Sequence, residues 1–477
     1  MTELFIDDIR NKLDSGVTSE ELFNEARDKA LKYQKLYNSF VTIMDNKEEE
    51  GSDSILRGIP YGLKDNISTK GILTTGSSNI LKDYIPLYDA TVYKKLKESG
   101  AVMLGKTVLD ELAMGGTGTT GHTGIVRNPW DKDRMIGGSS SGSAASVALG
   151  IVPFSIGSDT GDSVRRPASY GGVVGFKPTY GRISRYGLFA FASSLDTVGV
   201  IARSVKDVSY VMDAIKGHDD KDMTSLPDEN IVYSDNIDND IKGKKLFYIK
   251  EALENSSNNG ELKEIIDNFY SVIDKARELG FIVEEVSIDK SLLEAIYPVY
   301  NVISCAEATS NNSNLTGISF GNRIDGKDVN DIMMNTRTEG FSELIKRRFV
   351  IGSYVLQKEN QDKLFLNACR VRRLLVDKFN ELFKEYDGYI LPSTEKIAPR
   401  FDDISDKLSD DYLILGSHLI IGNFGGYPSI SIPSGFINNM PVGINITGRV
   451  REDNLVLNMA NKLEEVLGCK GQVSKSE

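Results

Sequence analysis

A helix that ends at a glycine and leads directly into an apolar strand occurs twice in this sequence, and this unit restricts the possible folds most strongly. The first copy is VYKKLKESG followed by AVMLG (92–105), and the second is VIDKARELG followed by FIVEEVSI (272–288). Gly100 and Gly280 suit the left-handed conformation in which many helices end. Strands linked by helices in this way form parallel or mixed sheets. We therefore predict an α/β fold in which helices cover both faces of a mixed central sheet.

The first fifty residues have a different sequence pattern, and we predict that they form two helices. Thr18 and Glu21 have the spacing of a capping box, and apolar residues at helical intervals follow them. Further along the chain we predict long helices over 341–357 and 368–383, paired strands near 427–448 and a final helix. No segment repeats with a period of 20–50 residues, which excludes a repeat array. The chain thus divides into an N-terminal helical segment, residues 1–50, and one large domain, residues 51–477.

Composition excludes several classes of protein. Asp and Glu number 68 against 56 Lys and Arg, which gives a net charge of −12 and argues against strong direct binding of nucleic acid. The three cysteines and three histidines are scattered, so we predict no metal site. The acidic N-terminus lacks the pattern of a signal peptide, and the longest apolar stretch, about fourteen residues, is too short to span a membrane. We expect a cytoplasmic protein without membrane contact.

Two serines and one lysine stand in glycine-rich settings far apart along the chain. Lys64 lies in GIPYGLKDN, Ser139 is the first serine of GGSSSGS, and Ser163 ends GSDTGDS. Each setting also has an ordinary explanation: a solvated surface lysine, a flexible Gly/Ser loop and a tight turn with a surface serine. A catalytic role for Lys64 requires burial that lowers its pKa, so that the neutral amine accepts a proton.

The two serine motifs also suit close approach to a substrate. SAASVALG, which follows the first motif, favours a helix, and the backbone N–H groups at the start of a helix are free to bind a ligand. In the second motif, Gly157 and Gly161 permit backbone conformations that are closed to other residues. We expect a sharp turn there that directs several N–H groups at one point, as an oxyanion hole requires.

The stretch GSDTGDSVRRPASYGGVVGFKPTYGRISRYGLFAFASSLDTVG (157–199), with the settings of Lys64 and Ser139, resembles the amidase signature family, whose members cleave amides. The resemblance covers most of the chain and is densest over residues 57–200. It implies a single large α/β/α fold and a Ser–Ser–Lys triad. Ser163 would be the nucleophile that forms an acyl-enzyme, Ser139 would follow a cis peptide bond and relay the proton, and Lys64 would be the terminal base.

Such a triad is chemically coherent, because a serine hydroxyl is a poor nucleophile until a base takes its proton. The lysine would perform the task of a catalytic histidine, so that His122, His218 and His418 have no role in this interpretation. The resemblance assigns the oxyanion hole to the backbone N–H groups of Thr160, Gly161, Asp162 and Ser163.

Within the family, the sequence around Met114, the segment ELIKRRFVIGS and the stretch YGRISRYGLFAFASSLDTVG are similar to the glutamine-hydrolysing subunits of tRNA-dependent amidotransferases. This similarity implies a glutaminase that passes ammonia to a tRNA-binding B subunit. That partner would amidate misacylated Glu-tRNA(Gln) or Asp-tRNA(Asn) with ATP and Mg, and a small third subunit would complete a heterotrimer. This chain itself would hold no cofactor, and it contains no G-x-x-x-x-G-K-[ST] motif for ATP.

Free glutamine carries an α-carboxylate and an α-ammonium, so a specific pocket needs a cation and an anion. The resemblance assigns the cation to Arg348 and places Met114, Gly115 and Tyr300 in the pocket. The alternative for the basic run Lys346–Arg348 is a solvated helix face.

The sequence departs from the family pattern at three positions. Ser141 and Asp162 stand where glycines are usual. Aspartate tolerates the left-handed backbone, but its charge would oppose an oxyanion unless Arg165 or Arg166 paired with it. The acidic residue that reads the ammonium of glutamine falls near Gly416, where no carboxylate stands, and Asp410 or Asp411 is a possible substitute.

Two other functions therefore stay open. A stand-alone amidase that acts on a small amide, without a tRNA partner, is favoured by the missing carboxylate near Gly416. A non-catalytic assembly protein is compatible with the altered oxyanion loop, although the intact Lys64, Ser139 and Ser163 argue against it.

Overall fold

Alternate residues of strand β3 (Val102–Thr107) pack into two different hydrophobic clusters. Val102 and Leu104 belong to one cluster, whereas Met103 belongs to the other. Because successive side chains of a strand point to opposite faces of its sheet, apolar layers cover this sheet on both sides. The structure is a computed structural model that describes residues 4–47, 51, 54–227, 230–254, 260–403 and 414–474.

The described strands form an eleven-stranded mixed sheet and a separate two-stranded sheet, β4–β5. The order in the large sheet is β1-β3-β2-β6-β8-β7-β12-β13-β11-β9-β10. β3 and β6 are parallel to β2, and β10 and β11 are parallel to β9, while the other neighbours are antiparallel. Besides β3, the strands are β1 (Phe40–Ile43), β2 (Pro60–Lys64), β4 (Arg127–Asn128), β5 (Asp131–Met135), β6 (Phe154–Asp159), β7 (Val174–Lys177), β8 (Thr197–Ala202), β9 (Lys245–Ile249), β10 (Ile282–Val286), β11 (Gly388–Pro392), β12 (Ser429–Ile437) and β13 (Met440–Gly448).

Helices pack on this sheet and connect its strands. Short 3-10 helices occur at Asn79–Leu81, Glu111–Ala113 and Phe401–Asp403, and a π-helical turn occurs at Asp362–Leu366. The α-helices are α1 (Ile6–Asp14), α2 (Ser19–Tyr37), α3 (Thr91–Glu98), α4 (Ser141–Ala148), α5 (Arg165–Gly171), α6 (Val205–Ile215), α7 (Lys250–Leu253), α8 (Gly260–Glu278), α9 (Lys290–Glu294), α10 (Ile296–Asn311), α11 (Val329–Gly340), α12 (Glu343–Leu356), α13 (Lys358–Gln361), α14 (Asn367–Leu382), α15 (Ile414–Ser417), α16 (Ile420–Phe424) and α17 (Asp453–Leu467).

The predicted elements are confirmed where local signals defined them. Helices α3 and α8 end before Gly100 and Gly280, whose φ angles are 80° and 96°, and each leads into a strand. The capping box is present: the Thr18 hydroxyl accepts from the Glu21 N–H at 3.2 Å, and the Glu21 carboxylate accepts from the Thr18 N–H at 2.8 Å. Together with the mixed sheet and the helices that pack on it, these elements confirm the predicted α/β fold.

The N-terminal segment contributes to the sheet as well as to the helices. α1 and α2 are the two predicted helices, and the Ile6 N–H donates to the Asp207 carboxylate at 2.9 Å. Strand β1 then adds antiparallel to β3 at the edge of the sheet. The division into residues 1–50 and 51–477 stays a prediction. Across the described part of the chain, no helix combines the length and apolar character needed to cross a membrane.

Candidate active site

The sheet brings two of the sequence motifs together at one edge. Strands β2 and β6 are parallel neighbours, with Leu63 opposite Ile156. Lys64 is the last residue of β2, and the loop Thr160–Ser163 follows β6 directly. Because parallel strands end at the same edge, the lysine and the second serine motif lie side by side. Ser139 reaches the same edge from the turn that precedes α4.

Lys64 is completely buried and hydrogen-bonded to serines. Its Nζ donates to Ser139 Oγ at 2.8 Å, to Ser158 Oγ at 2.9 Å and to the Ser158 carbonyl at 3.1 Å. Burial lowers the pKa of Lys64 to about 7, although the negative charges of nearby aspartates oppose this shift. A substantial fraction of the amine is therefore neutral near neutral pH, as a proton acceptor must be.

Ser139 is held between two backbone segments. The peptide bond between Gly138 and Ser139 is cis. The Ser139 carbonyl accepts from the Asp110 N–H at 3.2 Å, and the N–H of the next residue, Ser140, donates to the Ser163 carbonyl at 3.0 Å. Ser163, itself buried, is thus adjacent to the segment that carries Ser139.

The loop Thr160–Ser163 presents backbone donors that no described acceptor takes up. Neither backbone nor side-chain acceptors within the described ranges pair with the N–H groups of its four residues. The Arg165 guanidinium fixes this loop, because it donates to both oxygens of Asp159 at 2.9 and 3.1 Å and to the Gly161 carbonyl at 2.9 Å. Burial opposes the ionisation of Asp159, but this ion pair outweighs it and lowers the pKa of Asp159 to about 2.

The expectation that Gly157 and Gly161 adopt conformations closed to other residues is wrong. Neither glycine has a positive φ, and neither does Asp162. The glycines are instead required by close packing: a Cβ on Gly157 would lie 2.7 Å from Ser140 Oγ, and one on Gly161 would lie 3.0 Å from the Tyr300 ring. The loop needs no left-handed residue, so an aspartate is accommodated at position 162.

The charge of Asp162 is paired with Arg166 and not with Arg165. Arg166 Nε donates to Asp162 Oδ2 at 2.5 Å, and another nitrogen of the same guanidinium donates to the Gly416 carbonyl at 2.7 Å. Ser141, the other departure from the pattern, begins helix α4 and donates to the Val108 carbonyl at 3.3 Å. Both replacements of glycine therefore have a local structural partner.

Tyr300 lies against the same loop, and the charge of Arg348 acts on Tyr300. The Tyr300 ring packs on Gly161, and burial raises the pKa of Tyr300 well above its usual range. The Arg348 guanidinium lies 5.6 Å from the centre of the Phe191 ring, and its Nε is buried without a hydrogen-bond acceptor among the described residues. Arg348 is therefore directed inward and is not part of a solvated helix face.

Gly115 packs on Asp110, the residue that also contacts Gly138 before the Ser139 turn. Met114 is fully buried, and a Cβ on Gly115 would lie 2.6 Å from the Asp110 side chain. The Asp110 carboxylate accepts from the N–H groups of residues 117–120 at 3.0–3.2 Å, which holds this loop against Gly138.

A carboxylate does stand beside Gly416, although no pattern in the sequence indicates it. A Cβ on Gly416 would lie 3.1 Å from the carboxylate carbon and from both oxygens of Glu395. Asp410 and Asp411, the predicted substitutes, lie outside the described residues. Sequence reasoning also missed Ser158, although that residue stands inside the GSDTGDS motif.

No histidine takes part in the hydrogen bonds described for Lys64. His418 is fully buried, and burial lowers its pKa to about 3, so that it is neutral. Its Nδ1 lies 2.7 Å from the Leu415 carbonyl. Within the described ranges, no group of three or more His, Cys, Asp or Glu side chains is placed to hold a metal ion.

A buried lysine that is hydrogen-bonded to a serine after a cis peptide bond, next to a loop of free N–H groups, defines a site suited to amide cleavage. The chain belongs to the amidase family, whose sequence model matches residues 21–457.

Known relatives indicate which members of the amidase family this chain is similar to. Proteins named as the A subunit of glutamyl-tRNA(Gln) amidotransferase are similar to this chain: the one from Fusobacterium nucleatum is 39% identical, over 98% of this chain and 97% of its own length. The one from Heliobacterium modesticaldum is 40% identical, over 96% and 95%. The crystal structure of the corresponding protein from Thermotoga maritima superimposes with a TM-score of 0.84 at 34% identity, over 100% of this chain and 98% of the other.

Proposed function

We propose that this chain is the glutamine-hydrolysing subunit of a tRNA-dependent amidotransferase. The observation that carries the proposal is the 2.8 Å hydrogen bond between the buried Lys64 amine and Ser139 Oγ, next to the loop that bears Ser163. The similarity to the glutamyl-tRNA(Gln) amidotransferase proteins over nearly the full length of both chains supports the choice of substrate.

The reaction begins with proton transfer away from Ser163. Neutral Lys64 takes a proton from Ser139, which takes the proton of the Ser163 hydroxyl, and Ser163 Oγ attacks the side-chain amide carbon of glutamine. The backbone N–H groups of residues 160–163 stabilise the negative oxygen of the tetrahedral intermediate. As this intermediate collapses, the C–N bond breaks and the proton returns to the leaving nitrogen, which releases ammonia. Water then attacks the acyl-enzyme and frees glutamate.

Arg348 and Tyr300 are the residues that we assign to substrate binding, with Met114 and Gly115 in the wall of the pocket. The support for Arg348 is its inward position near Tyr300 and its Nε, which has no acceptor among the described residues, because a guanidinium is well suited to a carboxylate. Tyr300 supports the pocket through its contact with Gly161.

The ammonia would be used by a partner. We assign tRNA binding and the use of ATP and Mg to a B subunit, with a small third subunit completing a heterotrimer in the cytoplasm. The net charge of −12 is consistent with a chain that leaves tRNA binding to that partner.

The test is ammonia release from glutamine by the purified chain, alone and with a tRNA-binding partner, compared with Ser163→Ala. We expect release that rises with the partner and vanishes in the variant. A second candidate is a stand-alone amidase, because residue 416 itself carries no carboxylate. Cleavage of other amides without a partner, with glutamine left intact, would establish that candidate and overturn the first.

A further inference from the structure

Glu395 has one carboxylate oxygen that receives no hydrogen bond from the residues that the structure describes. The residue follows strand β11, and its side chain is 18% exposed. Its Oε2 is buried and accepts no hydrogen bond from any described residue. A buried carboxylate oxygen without a donor is costly, so a ligand that donates to it gains more affinity than at an exposed site.

The neighbouring Arg166 forms a long ion pair with this carboxylate but donates no hydrogen bond to Oε2. Arg166 donates short hydrogen bonds to Asp162, at 2.5 Å, and to the Gly416 carbonyl, at 2.7 Å. Its remaining nitrogen lies 3.9 Å from Glu395 Oε2, beyond hydrogen-bond distance. Two carboxylates therefore share one guanidinium, and the group made of Asp162, Arg166 and Glu395 keeps a net charge of −1.

The carboxylate of Glu395 fills the place that a side chain on residue 416 would take. A Cβ on Gly416 would lie 3.1 Å from the carboxylate of Glu395. Any carboxylate carried by residue 416 would therefore compete for the place that Glu395 fills.

Arg348 supplies the opposite charge. Its buried Nε has no acceptor among the described residues, and its charge acts on Tyr300, whose ring packs on Gly161 of the loop. Glu395 reaches the loop through Arg166 and Asp162. A cation and an anion that each have one polar atom without a hydrogen bond, the first near Tyr300 and the second near Arg166, suit a substrate that carries both charges.

We propose that Glu395 binds the α-ammonium group of the substrate and makes the site selective for amides of α-amino acids. This inference rests on the proposed cleavage of such an amide at Ser163. It adds a specificity residue to that function.

The experiment measures binding without turnover, in the Ser163→Ala background, by calorimetry. The ligands are L-glutamine and glutaramate, which has the same carboxylate and amide but no ammonium. The variants are Glu395→Gln and the double change Glu395→Ala with Gly416→Asp, which moves the carboxylate to the other side of the same space. Glu381→Gln, which removes an exposed carboxylate on α14, is the matched control.

We expect Glu395→Gln to weaken glutamine binding about 10- to 100-fold, the range for a lost hydrogen bond to a charged group, and to leave glutaramate binding unchanged. The double change should recover most of the lost affinity, and the control should match its parent. Unchanged binding of glutamine in Glu395→Gln would overturn the inference, as would an equal loss for both ligands or failure of the parent to prefer glutamine. The proposed function is judged separately, by ammonia release from the wild-type chain.

Discussion

Lys64 and Ser139 are joined by a hydrogen bond of 2.8 Å at the end of strand β2, and no carboxylate within the described ranges forms an ion pair with this lysine. Lys106, on the neighbouring strand β3, is equally buried but pairs with Asp65 at 3.6 Å. Burial lowers the pKa of Lys64 to about 7 and that of Lys106 to about 8. Lys106 has a carboxylate partner that stabilises its charged form, whereas Lys64 has none among the described residues, so Lys64 is the one prepared to accept a proton.

Replacing the two lysines by methionine should have opposite consequences. Lys64→Met should reduce amide hydrolysis by at least about 10³-fold, because Ser163 loses its base, while the free energy of unfolding changes by no more than about 1–2 kcal/mol. Lys106→Met should lower the free energy of unfolding by about 3–5 kcal/mol, because Asp65 is left as an uncompensated buried charge.

Steady-state kinetics and denaturant unfolding of both variants test this pair. Each variant serves as the control for the other, since both remove a buried ammonium of the same sheet. Substantial hydrolysis by Lys64→Met would remove Lys64 from the mechanism.

The pH dependence of hydrolysis should report the titration of Lys64. The neutral amine is the active form, and burial places its pKa at about 7, below the ordinary value of 10.5. We expect kcat/KM to fall about tenfold per pH unit below pH 7 and to level off above it. Because folding releases this proton between about pH 7 and pH 10.5, the same group makes the folded state more stable as the pH rises through that window. A flat profile from about pH 5 to about pH 8 would contradict the assignment.

Ser163→Ala should abolish ammonia release and leave the fold intact. The hydroxyl is the assigned nucleophile, and the backbone of Ser163 makes the contact with Ser140 that an alanine preserves. Ser169→Ala, on the following helix, is the control, because its buried hydroxyl has no hydrogen-bond partner among the described residues. Ammonia release and thermal unfolding are measured for both variants. Most of the activity surviving in Ser163→Ala would exclude the proposed triad.

Arg166→Met should slow catalysis by exposing the oxyanion loop to the charge of Asp162. If the Asp162 charge acts over a separation of about 8 Å at an effective dielectric constant of about 20, the cost is about 2 kcal/mol, or roughly 30-fold in kcat. The double variant Arg166→Met with Asp162→Gly lacks that charge, and it should recover much of the rate. Single-turnover rates of the two single variants and of the double variant form the cycle that measures this coupling. Equal rates for Arg166→Met and its double variant would refute the charge effect.

Local patterns predicted much of the fold, because local interactions decide it. The capping box at Thr18 and the glycine ends at Gly100 and Gly280 depend on residues within one turn of a helix, and all three are present. The sequence alone does not choose between Arg165 and Arg166 as the partner of Asp162. Arg166 lies four residues after Asp162, in the first turn of helix α5, and its side chain pairs with Asp162. Arg165 pairs with Asp159 instead.

The glycines of the second serine motif show where pattern reasoning fails. Gly157 and Gly161 are needed because Ser140 and Tyr300 approach them closely, and not for an unusual backbone. Tyr300 stands far along the chain from Gly161, so no local pattern specifies this contact.

By itself the sequence determined the family and the chemical identity of the proposed triad, because Lys64, Ser139 and Ser163 stand in distinctive local settings. Only the tertiary structure decided the properties on which their chemistry depends. Burial within the sheet lowers the pKa of Lys64, and the fold places Glu395 in the space beside Gly416. Desolvation and long-range proximity arise from the packing of segments distant in sequence, and neither is encoded in the neighbours of any single residue.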